Sequence, residues 1–139
     1  MTLARIAGIG AVALTLSGLP ALAQPVTRLA LDNPSIAIAE AVTVPPGYTT
    51  YYISGTPASP RDPNAPDMSP VRWGNTAQQT DDCLKKLEAT LGKLGLTFGD
   101  VVKATVFLVG DPAFGGDIDF RAMNGEWAKR FGTAAQPNK

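Results

Sequence analysis

The chain has 139 residues, carries 12 basic and 12 acidic side chains, and is 45% hydrophobic. This size and composition indicate one small globular domain. Balanced charge excludes a protein held to nucleic acid mainly by phosphate contacts. The sequence contains no His and a single Cys, so the commonest general base, an internal disulfide and a Cys-based zinc site are all missing. Ser-His-Asp hydrolases, Cys-His hydrolases and His-dependent ribonucleases are therefore excluded.

Residues 1–23 have the pattern of a signal peptide. A short start that contains Arg5 precedes the uncharged apolar stretch 6–19, and residues 21–23 read Ala-Leu-Ala. We expect cleavage after Ala23 and a mature domain over 24–139. The protein should then be periplasmic or secreted, without contact to the membrane after cleavage.

Two strands are predicted next. Ile38, Glu40 and Val42 belong to an alternating pattern over 36–44, which is typical of a half-buried strand. A Pro-Pro-Gly turn ends this pattern, and residues 48–54 (YTTYYIS) are rich in aromatic and β-branched side chains. The two segments are predicted to form a hairpin.

The segment 56–70 contains five prolines among polar residues and is predicted to be a long exposed loop. Loops of this length are unusual in a small domain and are either functional lids or tolerated insertions. The side chains of the segment favour neither interpretation.

Helical periodicity begins at residue 75. Leu84, Leu87, Leu91 and Leu94 recur at intervals of three and four over 75–94, Asn75 or Thr76 can cap the start, and a glycine follows the end. The sequence therefore predicts a long amphipathic helix.

The remaining elements are a strand and a second helix. Residues 101–109 (VVKATVFLV) are apolar on nearly both faces, which predicts a central strand. Residues 120–131 place Phe120, Met123, Trp127 and Phe131 on one helical stripe, with Asp119 as the cap. The order β-β-α-β-α predicts an α+β fold, with two helices on one face of a mixed sheet.

Few side chains indicate chemistry by themselves. Cys83 lies on the apolar side of the first long helix and is predicted to belong to the core. Asp111, Asp117 and Asp119 are explained by turns and a helix cap, so no metal site is predicted, and no cofactor motif is present. Ser54, before Gly55, and Asn124, beside the apolar stripe of the second helix, are candidate hydrogen-bonding residues.

Whole segments of the chain resemble the RidA/YjgF family of reactive intermediate deaminases. The matching stretches are YYISG at 51–55, GDVVKATVFL at 99–108 and FRAMNGEW at 120–127, within a resemblance that covers residues 36–139. The resemblance implies a chorismate-mutase-like α+β fold and a homotrimer.

The activity that this resemblance implies is hydrolysis of 2-imino or enamine acids to 2-keto acids and ammonia, without metal or cofactor. The family's sites lie between subunits, and the matching positions here are Ser54, Gly55 and Asn124 as substrate-binding residues. The family's Pro-x-Arg segment and C-terminal Glu are unmatched, as is the Tyr that many members carry near the first strand. We therefore expect the domain to be incomplete at its C-terminus, with the last strands of the sheet missing.

Two further interpretations remain open. A non-catalytic homotrimer that binds small molecules or acts like a chaperone is favoured by the unmatched Tyr and by export away from cytoplasmic imines. The ribonuclease activity sometimes attached to the family is the weakest reading, because neither a His nor a basic groove supports RNA cleavage. The expected partners are a small imino or keto acid and further copies of the chain, with no nucleic acid.

Overall fold

Strands come first in the chain and helices follow. The computed structural model describes residues 24–33, 38–67 and 69–133. Its elements are the strands β1 (Thr27–Ala30) and β2 (Ala39–Thr43), the helices α1 (Pro70–Trp73), α2 (Thr76–Lys93) and α3 (Phe120–Trp127), and two 3-10 turns, Phe98–Asp100 and Pro112–Phe114. This confirms the α+β class. The predicted signal peptide lies outside the described residues.

The sheet of the described chain is a two-stranded antiparallel ribbon. Arg28 pairs with Val42 and Leu29 with Ala41, and the register shifts between Leu29 and Ala30. Strand β2 lies inside the segment 36–44 where a strand was predicted, but its partner precedes it in the chain. The predicted hairpin between 36–44 and 48–54 is therefore wrong. The four residues of β1 are too few to show an alternating pattern, so the sequence did not reveal them.

The mixed sheet predicted from the sequence does not form among the described residues either. Segments 48–54 and 101–109 are both fully described and neither forms a strand. Residues 51–56 lie beside the C-terminal end of α2, and the apolar run leaves Phe107 89% and Val109 88% exposed. A strand that is apolar on both faces needs hydrogen-bonding neighbours and a covering layer, and β propensity alone does not supply them.

Helix α2 forms as predicted because its start, face and end are all encoded locally. The Asn75 side chain accepts a hydrogen bond from the Gln78 amide at 3.0 Å, and the Gln78 side chain accepts one from the Asn75 amide at 3.1 Å. This reciprocal capping box satisfies two amides at the start of the helix. Gly95 follows the C-cap with a φ of 71°, a conformation that favours glycine.

Helix α3 is shorter than predicted. Asp119 caps it by accepting a hydrogen bond from the Ala122 amide at 2.9 Å, and turns continue the chain to Phe131 after the helix ends at Trp127. Met123 and Phe131 are buried as expected. Phe120, however, is 58% exposed, so its predicted place on the buried stripe is wrong. It is the first helical residue, and the buried stripe begins one turn later.

A small core joins α2 to the end of α3. It consists of Leu84, Leu91, Phe98 and Phe131, each 3–4% exposed, with Leu87, Leu96, Val101 and Trp127 packed around them. The Trp127 ring stacks on Phe131 with centroids 4.1 Å apart, and the Phe98 ring meets Phe131 edge-on at 5.0 Å. Cys83 is half-buried and is not among these residues, so its predicted place in the core is wrong.

The Pro-rich segment is organised around one side chain, Arg72 of α1. Its Nη1 donates to the carbonyls of Pro63 and Ala65 at 2.6 and 2.7 Å, and its Nη2 lies 3.2 Å from the Asp67 carboxylate. The backbone carbonyl of Arg72 accepts from the Arg61 amide at 2.6 Å. A guanidinium offers five donors in a rigid plane, so one Arg can bind several carbonyls of a loop that lacks ladder hydrogen bonds.

No helix in the described part of the chain combines the length and the apolar character needed to cross a bilayer.

Candidate functional site

A cavity of about 360 Å³ lies between the extended segment 51–56 and the C-terminal end of α2. Helix α2 contributes Thr90 and its C-cap residue, Leu94, to the wall of the cavity. Pockets that bind small molecules have volumes of roughly 300–1,000 Å³, so this cavity is of a size for a small organic acid.

Most of the residues that line the cavity carry a hydroxyl group. They are Tyr51, Tyr52, Ser54, Thr56 and Thr90. None of the described lining residues carries a charge. The cavity can therefore hold a ligand by hydrogen bonds and apolar contact, while a negative charge on the ligand needs a cation from elsewhere.

Two of the predicted site residues, Ser54 and Gly55, lie together in this wall. Both are exposed, and a Cβ atom built on Gly55 meets nothing within 4 Å. The space beside the Gly55 backbone is therefore open to a ligand. The Thr56 hydroxyl donates to the Ser54 carbonyl at 3.4 Å, a length that indicates a weak hydrogen bond.

The third predicted residue, Asn124, lies on α3 and does not line the cavity. Asn124 is exposed, and its backbone carbonyl accepts a hydrogen bond from the Ala128 amide at 2.9 Å. Within one chain, the structure brings Ser54 and Gly55 together and does not add Asn124 to them.

Sequence reasoning missed the contribution of α2 to the cavity. Thr90 and Leu94 are four residues apart and therefore share a face of the helix. The Thr90 hydroxyl donates to the Lys86 carbonyl one turn earlier at 3.1 Å. Thr90, a polar residue four positions before Leu94, was the available signal. Leu94 was instead assigned to the buried stripe, and that prediction is wrong because Leu94 is 40% exposed.

The single thiol is poorly suited to covalent chemistry. Burial is the largest influence on Cys83 and raises the pKa of its thiol above the ordinary value. The thiolate is the nucleophilic form, so a raised pKa lowers its population near neutral pH. The cavity beside Ser54 is thus a better candidate site than Cys83.

A second, smaller cavity of about 150 Å³ lies between the β ribbon, residues 101–104 and the aromatic side chains Trp127 and Phe131. Arg28 borders it and donates to the Gly99 carbonyl at 2.9 Å. Its walls are continuous with the core, so we regard it as a packing groove.

These observations define an α+β domain with a small, uncharged, hydroxyl-lined cavity beside a Ser-Gly segment. The model of the family described as Endoribonuclease L-PSP matches residues 30–139. The chain belongs to this family, which is the RidA/YjgF family. A comparison with curated proteins gave no match.

Proposed function

We propose that the protein hydrolyses small 2-imino acids, or their enamine tautomers, to 2-keto acids and ammonia. The observation that carries this proposal is the position of Ser54 and Gly55 in the wall of a cavity sized for a small acid. Family membership supports it, because the Ser-Gly segment is among the stretches on which the resemblance depends.

The reaction needs little from the protein. The oxygen of a water molecule attacks the C=N carbon, the electron pair of the C=N π bond moves to nitrogen, and the water loses one proton while the nitrogen gains one. The hydroxyl group of the resulting carbinolamine then loses its proton, the amino nitrogen gains one, and ammonia leaves as the C–N bond breaks and the C=O bond forms. No electrons are exchanged with a cofactor, so the balance closes with one imino acid and one water giving one keto acid and one ammonia.

In this proposal Ser54 orients the substrate through its hydroxyl, and the open Gly55 backbone lies against it. Such positioning lowers the barrier because the water and the electrophilic carbon are held in a reactive geometry. The described lining residues include no positively charged side chain, so a positive group outside this wall must bind the substrate carboxylate.

The proposed assembly is a homotrimer of chorismate-mutase-like domains, with each site between two copies. Asn124 supports this arrangement because it is exposed on α3 and does not line the cavity of its own chain. A neighbouring copy would supply Asn124 to the cavity formed by Ser54 and Gly55. We further propose that the mature domain acts in the periplasm or outside the cell.

The experiment supplies the exported protein with 2-iminobutanoate generated in situ and follows the loss of imine and the release of ammonia. We expect the protein to accelerate both, and Ser54→Ala to lose most of the acceleration. Thr49→Val is the control, because it removes a hydroxyl group from an exposed residue of the preceding segment 48–54 that does not line the cavity. A rate of imine loss equal to that without protein would end the catalytic proposal.

A non-catalytic homotrimer that binds small keto or imino acids is the second candidate. It is favoured by the lining itself, because the described residues of the wall carry hydroxyl groups but no carboxylate or ammonium group that could act as a general acid or base. Saturable binding of 2-ketobutanoate without imine turnover would support this candidate. RNA cleavage, which the family description mentions, is not part of the proposal because the sequence contains no His.

A further inference from the structure

One stripe of helix α2 follows the extended segment 51–59 over its whole length. Asp82, Lys86, Thr90 and Leu94 are each four residues apart and so lie on the same helical face. Thr90 and Leu94 line the cavity with residues 51–56. Lys86, one turn before Thr90, contacts Pro57, and Asp82, two turns before Thr90, contacts Ser59.

The contacts at 57–59 form a compact arrangement of three polar interactions. Oδ2 of Asp82 accepts a hydrogen bond from the Ser59 amide at 2.6 Å. Nζ of Lys86 donates to the Pro57 carbonyl at 2.7 Å and lies 2.9 Å from the same Asp82 oxygen. Each partner thus binds the other and one backbone group of the segment.

Asp82 and Lys86 bind a segment that makes few other hydrogen bonds among the described residues. Residues 48–60 exchange no backbone–backbone hydrogen bonds with other described residues. Pro57 has no amide hydrogen and cannot take part in a strand ladder as a donor, so its carbonyl is the group left for binding. The Asp82 and Lys86 side chains are 38% and 36% exposed, and an ion pair this exposed stabilises a fold only weakly.

The electrostatics agree with a carboxylate that binds the segment. The hydrogen bond from the Ser59 amide is the largest influence on Asp82, followed by that from Lys86, and both lower the pKa of its carboxyl group. Asp82 therefore stays charged at neutral pH, and charge-assisted hydrogen bonds are the stronger kind.

We propose that Asp82 and Lys86 are positioning residues, which hold residues 57–59 against α2 and thereby fix the Ser54–Gly55 wall of the cavity. The catalytic readout of this inference rests on the proposed function, whereas its structural readout does not. Only Gly55 and Thr56 separate Ser54 from the first anchored carbonyl, and the ring of Pro57 fixes the backbone φ angle at that anchor.

The test uses the full mature chain with Asp82→Ala and Lys86→Ala, and Lys85→Ala as the matched control. Lys85 makes the same kind of pair four residues from its partner, at 2.7 Å from Asp81, but none of its described contacts is with the segment. Asp82→Asn is the rescue variant, because it loses the charge and keeps an oxygen that can accept from the Ser59 amide.

The structural readout is amide hydrogen exchange, resolved at single residues by NMR. Loss of one hydrogen bond of this type should speed exchange of the Ser59 amide about five- to tenfold in Asp82→Ala. We expect a smaller change in Asp82→Asn and none in Lys85→Ala. Equal exchange of the Ser59 amide in wild type and Asp82→Ala would overturn the proposal.

The functional readout is the split between KM and kcat for 2-iminobutanoate. We expect KM to rise several-fold in Asp82→Ala and Lys86→Ala while kcat stays within about twofold, because a looser wall is in its binding-competent position less often, whereas bound substrate meets the same wall geometry. If exchange changes and KM does not, the link from the anchored segment to the cavity wall is wrong. If the wild type has no turnover, the proposed function fails, and the NMR order parameters of the Ser54 and Gly55 amides decide the inference alone: lower values in Asp82→Ala support it, and unchanged values refute it.

Discussion

The turns that follow helix α3 provide a direct test of which contacts stabilise this domain. Phe131 is 3% exposed and lies between the stacked ring of Trp127 and the edge-on ring of Phe98. Phe131→Ala removes a buried aromatic ring and leaves a cavity, a change that costs about 3–5 kcal/mol. A domain of this size has a free energy of unfolding of roughly 5–15 kcal/mol, so the loss is a large share of it.

Urea unfolding, followed by far-ultraviolet circular dichroism, measures this loss. With a slope of about 2 kcal/mol per molar urea, a loss of about 4 kcal/mol lowers the unfolding midpoint by roughly 2 M. If Phe131→Ala does not fold, Phe131→Leu keeps most of the volume and should cost less than about 1.5 kcal/mol.

Phe120→Ala is the matched control for this prediction. It makes the same chemical change at the first residue of α3, where the side chain is 58% exposed. Exposed substitutions of this kind change the free energy of unfolding by less than about 0.5 kcal/mol. Equal losses in Phe120→Ala and Phe131→Ala would refute the assignment of the core.

Three further predictions concern a cap, an ion pair and the thiol. Asn75→Ala removes the acceptor of the capping box and should lower the free energy of unfolding by about 1 kcal/mol in the same urea assay; no change would contradict the capping role. Hydrogen bonds from Lys85 and then Arg130 lower the pKa of Asp81, so its contribution to stability is present above the unfolded pKa of about 3.9 and is lost as pH falls through the lower folded value. Asp81→Asn should therefore be less stable than wild type at pH 7, and the difference should vanish in acid; a difference that persists at the lowest pH would contradict it. Cys83 should react with iodoacetamide more slowly in the folded protein than in urea, because burial raises the pKa of its thiol; equal rates would show that the thiol is not shielded.

The helices were predictable because the determinants of a helix are close together in the chain. The Asn75 cap, the leucine spacing and Gly95 specified α2 to within a residue or two. The same reasoning located Asp119 as the cap of α3. The prediction that Phe120 is buried was wrong. Helical periodicity assigns a residue to one face of the helix, but it does not show whether other parts of the chain cover that face at that position.

The strands were less predictable because a strand exists only with a partner. Residues 48–54 and 101–109 have the composition of strands, yet neither forms one among the described residues. The four-residue β1, which has no recognisable pattern, pairs with β2 instead. Backbone pairing depends on which segments meet in space, and no local feature of the sequence reports that.

Only part of the candidate site was predictable from the sequence. Ser54 and Gly55 were chosen because they belong to a short segment that resembles one in the RidA/YjgF family. The residues around them were not predicted: Thr90 and Leu94 complete the cavity, and Asp82 and Lys86 bind the segment that follows it. Residue types, caps and helical faces follow from interactions within a few positions of the chain. Contacts between residues 51–59 and a helix more than 20 positions away arise only when the chain folds back on itself, because the free energy of such contacts depends on geometry that distant segments create together.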